Sequence, residues 1–117
     1  MNIPGDYDLI IYVGATFTRR VVWKDSLGAL IDLTGYTARM QIRQSVRNPA
    51  ILLTLTTENG GITLGGAAGT VDLLLTSTQT AALTARAGVY DIELIDSTGV
   101  VTRLLQGAVE ISPEVTR

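Results

Sequence analysis

Asp91 and Glu93 are the residues of this chain whose type and spacing come nearest to catalysis. Two positions apart on an extended segment, they share a face with their carboxyls about 7 Å apart. That separation suits the acid and base of glycoside hydrolysis. The reaction also needs a cleft with aromatic platforms, and only 5% of this chain is aromatic. A charged strand face, compensated by Arg103 and by Arg39 or Arg43, explains the pair more simply, each cross-strand partner contributing on the order of 0.2–1 kcal/mol. Asp6, Asp8 and Asp32 lack the dense oxygen ligands and the fixed glycine of a calcium loop. The glycines from Gly60 to Gly69 form neither phosphate-loop pattern, and no long helix follows them. They read as turn residues. The chain has no histidine and no cysteine. A Ser-His-Asp triad, a thiolate zinc site, a cysteine nucleophile and a disulfide are all excluded. No catalytic residue, cofactor or metal is expected, and the reading is not an enzyme.

The remaining composition points to packing. Of 117 residues, 46% are hydrophobic. That is enough for one core without staples. With few aromatics, the core must be aliphatic, anchored by Trp23, Phe17, Tyr7, Tyr12, Tyr36 and Tyr90. A net charge of −2 with scattered arginines carries no basic footprint for nucleic acid. Arg19 and Arg20, the adjacent pair, point to opposite faces if they lie on a strand. No window is long and apolar enough to span a membrane as a helix. Met1 to Asp6 lacks the basic and apolar regions of a signal peptide, so a soluble chain made in a cytoplasm is expected.

The elements that must position these groups are strands. The strongest signal is Thr37 to Arg43, where Ala38, Met40 and Ile42 alternate with Thr37, Arg39, Gln41 and Arg43. Such alternation predicts a half-buried antiparallel strand. Further strands are predicted over Tyr7–Val13, Thr16–Trp23, Ile51–Thr56, Ile62–Leu64, Thr70–Leu75, Val89–Asp96, Val100–Gln106 and Ala108–Ile111. Polar and glycine-containing turns separate them. Thr76 to Gln79 fits a capping box, predicting a helix of about two turns through Leu83. A three-residue loop, Ser97-Thr98-Gly99, should place Glu93 opposite Arg103 and Ile92 opposite Leu104. Gly107 is expected to bend the chain before the last strand. The dense threonines suit a pleated, half-exposed surface. Residues 1–117 are read as one antiparallel β-sandwich domain, immunoglobulin-like or jelly-roll-like, of about eight strands with one short helix and short N- and C-terminal tails.

Particular stretches carry a family resemblance. They are Gly14-Ala15-Thr16-Phe17 with Arg19, Trp23-Lys24-Asp25, and Asp32 through Arg43. Thr78 to Leu83, Tyr90 to Leu94, Val101 to Gly107 and Ser112 to Arg117 complete the set. In this order and spacing the chain resembles small virion proteins of tailed bacteriophages and prophages, including the N-terminal domain of upper baseplate or fibre-anchoring proteins. The resemblance implies a virion structural protein assembling in multiple copies in the tail, baseplate or fibre-attachment region. It implies as partners other phage structural proteins and copies of itself, with no nucleic acid or membrane. A capsid decoration protein is the alternative within that class, and a carbohydrate-binding module on the virion surface is the alternative outside it. Trp23 could anchor a partner or cap the core, and the core is the preferred reading. Arg39, Arg43, Trp23, Arg103 and Arg117 are the candidate interface residues, with sheet edges and tails as further handles.

Overall fold

The computed structural model describes residues 5–115, and the chain folds as a β-sandwich. Its strands are β1 (Gly5–Asp6), β2 (Leu9–Tyr12), β3 (Phe17–Val22), β4 (Thr37–Arg43) and β5 (Ile51–Thr56). They continue as β6 (Ile62–Leu64), β7 (Thr70–Leu75), β8 (Ala87–Ile95) and β9 (Val101–Ser112). One sheet has the order β1-β9-β8-β4-β5, with β2 also on β9; the other is β3-β7-β6. The chain crosses between the sheets four times, at β2–β3, β3–β4, β5–β6 and β7–β8.

Alternation decides what each sheet hides. On β4, Ala38, Met40 and Ile42 are buried, and on β8 Tyr90, Ile92 and Leu94 join them. Facing them from the smaller sheet are Phe17, Val71, Leu73, Leu75 and Ile62. Fully burying one such side chain is worth about 1.5–3 kcal/mol, so this aliphatic layer carries the fold. The even–odd rule also separates Arg19, on the inner face of β3, from Arg20, on its outer face. Arg20 makes a two-pronged bond with Asp72 of β7, at 2.8 and 3.0 Å.

The larger sheet is mixed, not wholly antiparallel. β1 and β2 both run parallel to β9, pairing Gly5 with Leu105 and Leu9 with Val109. Between them the Asp8 carboxylate accepts the Ala108 amide at 3.0 Å and replaces a missing ladder bond. Gly107 marks a close approach here and does not bend the chain, since β9 runs on without a break. A Cβ at this position would fall onto the Tyr7 carbonyl. The same carbonyl accepts the Tyr90 hydroxyl from β8.

The hairpin register is half as expected. Asp96 N–H donates to the Val100 carbonyl, and Glu93 stands opposite Arg103. Ile92 then pairs with Leu105, not Leu104, because a bulge intervenes. Without the extra residue, position 105 would face outward like position 103. The bulge resets the parity, so that Leu105 packs on the core and Val109 and Ile111 are buried.

Two turns at one end share a device. The carboxylates of Asp32 and Asp96 each accept the amide and the hydroxyl of the threonine two residues on, and a glycine with φ of 83° or 91° follows. The threonine hydroxyls hold both carboxyls below the usual carboxylate range. Thr76 and Gln79 form the capping box, but helix α1 (Ser77–Ala81) is shorter than expected. It stops where Thr80, fully buried, accepts the Gly14 amide and donates toward the Ala15 carbonyl.

Candidate docking face

The outer face of the larger sheet gathers three of the predicted interface residues. β4 sends out Arg39, Gln41 and Arg43; β8 sends out Asp91 and Glu93; β9 contributes Arg103 and Gln106. Register sets the pairs. Arg39 lies directly opposite Glu93, and Nε meets Oε1 at 2.8 Å. Arg103 reaches the Asp91 carboxylate at 3.5 Å. Arg43 turns along its own strand to the Gln41 side-chain oxygen, at 2.8 Å, and to the Asn48 carbonyl, at 3.0 Å. Gln106 donates to Asp6 of β1 at 3.3 Å and lies 3.5 Å from Arg103.

These contacts tie β1, β9, β8 and β4 into one polar lattice around a hollow of about 670 Å³. Its walls include Asp6, Gln41, Arg43, Val46, Asp91 and Arg103. Here three arginines (39, 43 and 103) stand with three carboxylates (6, 91 and 93), and Glu110 adds a fourth carboxylate farther along the outward side of β9. Both members of the Arg103–Asp91 pair remain about half exposed, with side-chain accessibilities of 49% and 41%. Ion pairs so open to water contribute little to folding, of order 0–1 kcal/mol.

The carboxylate pair of the sequence reading is therefore split between two guanidinium groups, Glu93 to Arg39 and Asp91 to Arg103. Arg43 joins no carboxylate among the described residues. Of the imagined calcium set, Asp8 serves the β9 backbone and Asp32 its own turn. Trp23 lies off this face, packed on the core edge-to-face with Tyr36 at 6.4 Å between ring centroids. Arg117 lies outside the described residues. Sequence reasoning missed Asp6 and Gln106. Gln41 shared the parity of Arg39 and could have been found, whereas Asp6 reaches the face through a parallel pairing that no local pattern announces.

No family model matches this sequence, and no curated protein is significantly similar to it. Among solved structures the chain is similar to the crystal structure of a chicken TCR, with a TM-score of 0.59 at 14% identity. The match covers 98% of this chain and 57% of the other. Identity this low shows the fold alone, an immunoglobulin-like sandwich. The inter-sheet disulfide of antibody domains is missing, because the chain has no cysteine. Side chains from both sheets fill the space between them.

Proposed function

We propose that this protein is a non-enzymatic structural component of a tailed-phage particle. In this reading it is made in the host cytoplasm and assembles in multiple copies in the tail, baseplate or fibre-attachment region. The resemblance running from Gly14 to Arg117 supports the setting. The single structural observation that supports the mode of action is the ionic face of Arg39, Arg43 and Arg103 with Asp6, Asp91 and Glu93. A face of alternating charge fixes register and orientation between copies, because like charges placed opposite each other penalise every wrong docking. Its half-exposed pairs can exchange partners at little cost to the fold.

Mass spectrometry of purified particles is the direct test. The chain is expected among the virion proteins at a stoichiometry of many copies per particle, co-purifying with tail components. Particles that lack it overturn the proposal. Co-purification with the major capsid protein instead moves it to the head, as a decoration protein.

A further inference from the structure

Among the described residues the smaller sheet leaves one edge of β3 without a strand, and a cleft opens beside it. β3 pairs only with β7 among the described residues, in the register Phe17–Leu75 to Val22–Thr70. Alternate N–H and C=O groups of β3 therefore point away from the sheet, a template for an added strand. Across from that edge lies the β1–β2 junction, and between them is a cleft of about 170 Å³. Its walls include Tyr7, Leu9, Val21, Ile92 and Leu105, which are apolar in character and drawn from both sheets. An apolar cavity of roughly 150 Å³ holds a group the size of benzene, so the cleft fits one large aliphatic side chain.

Arg19 also lines this cleft. It points to the inner face of β3, and its guanidinium carbon stacks 4.9 Å from the centre of the Tyr7 ring. Its Nε is buried and has no hydrogen-bond partner, and it joins no ion pair among the described residues. Its neighbour Arg20, by contrast, is fully matched by Asp72. A buried N–H of a charged group left without an acceptor is costly. The chain maintains that cost at the mouth of an apolar cleft beside an open strand edge.

We propose that β3 accepts an extended segment of a partner polypeptide that carries a carboxylate flanked two residues away by aliphatic side chains. Backbone bonds to the free edge add it as a fourth strand to the smaller sheet. Inward positions of an added strand alternate with outward ones, as Phe17, Arg19 and Val21 do on β3. The acidic residue faces Arg19 and satisfies Nε, and an aliphatic neighbour enters the cleft. Charge complementarity selects the occupant: an uncharged strand could pair with the edge but would leave the buried Nε of Arg19 unmatched. The proposal concerns the cleft and stands apart from the virion reading, which particle composition tests separately.

The experiment is an NMR titration of the ¹⁵N-labelled protein with the heptapeptide Lys-Val-Thr-Asp-Thr-Val-Lys, alongside the same peptide with asparagine for aspartate. Saturable shifts are expected on β3 and the β1–β2 junction, with slowed amide exchange along β3. The asparagine peptide should bind at least about tenfold more weakly. Arg19→Gln should bind both peptides alike while its β4 and β8 amide shifts stay native. Equal affinity of the native protein for the two peptides overturns the proposal, and so does the absence of shifts or their appearance on another edge. If Arg19→Gln does not fold, the comparison of the two peptides on the native protein still decides.

Discussion

At the scale of single residues, Tyr90 and Gly107 act together. The Tyr90 hydroxyl crosses from β8 to the Tyr7 carbonyl, and Gly107 makes room for that carbonyl against β9. Tyr90→Phe should cost about 1–2 kcal/mol in urea unfolding, the worth of a buried hydrogen bond with its acceptor left bare. Desolvation, reinforced by the negative charge of Asp8, pushes the Tyr90 phenol up to about 12. A phenol raised in the folded state stabilises below its ordinary value near 10 and loses that contribution as pH climbs through the folded value. Stability measured between pH of about 10 and 12 should therefore fall for the native chain and fall less for Tyr90→Phe. Gly107→Ala forces a methyl onto the Tyr7 carbonyl and should destabilise by about 1–3 kcal/mol, read from the same unfolding curves. In acid the sign reverses: Asp32 and Asp96, held below the usual carboxylate range, stabilise above it and lose this as pH falls. Asp96→Asn should flatten part of that acid decline in a series of thermal melts.

At the scale of elements, the five-residue helix α1 and the β2–β3 turn are held as one unit by Thr80. Thr80→Val keeps the shape but strands the Gly14 amide and the Ala15 carbonyl. It should cost about 1–3 kcal/mol, and amide exchange should rise at Gly14 before it rises on β4. The same scale shows what local pattern can and cannot reveal. β4, β5, β6 and β7 have the predicted bounds, because turn, loop or cap residues flank each: Gly35 before β4, Asn48 and Pro49 before β5, Gly61 and Gly65 around β6, and Gly69 and Thr76 around β7. The capping box was equally legible, since its two hydrogen bonds join residues three apart. Strand direction was not. Leu9 and Ile11 alternate with Ile10 and Tyr12 in the same way whether the partner runs parallel or antiparallel. Nor was the bulge, because Leu104 and Leu105 are both apolar and either could have opposed Ile92.

At the scale of the whole molecule, the larger sheet offers an ionic face and the smaller one, among the described residues, an unfilled edge. Arg39, Arg43 and Arg103 were legible as one group, since parity put the first two together and opposed charge called for the third. The lattice that includes Asp6 and Gln106 required the fold. Replacing Arg39 and Arg103 together with glutamine should leave the melting temperature within a few degrees, because solvent-facing ion pairs contribute only about 0–1 kcal/mol each. On the proposed virion role, the same double variant should fail to enter particles when it replaces the native chain, a loss visible by mass spectrometry. The parallel pairing of β1 and β2 with β9 has a mechanical consequence. Gly5 sits at one end of that ladder and Ser112 at the other, so tension applied through the two ends of the chain slides the strands along each other. Every rung is then loaded at once, where an antiparallel hairpin pulled from its open end would unzip one rung at a time. The sandwich is clamped along the line that joins Gly5 to Ser112.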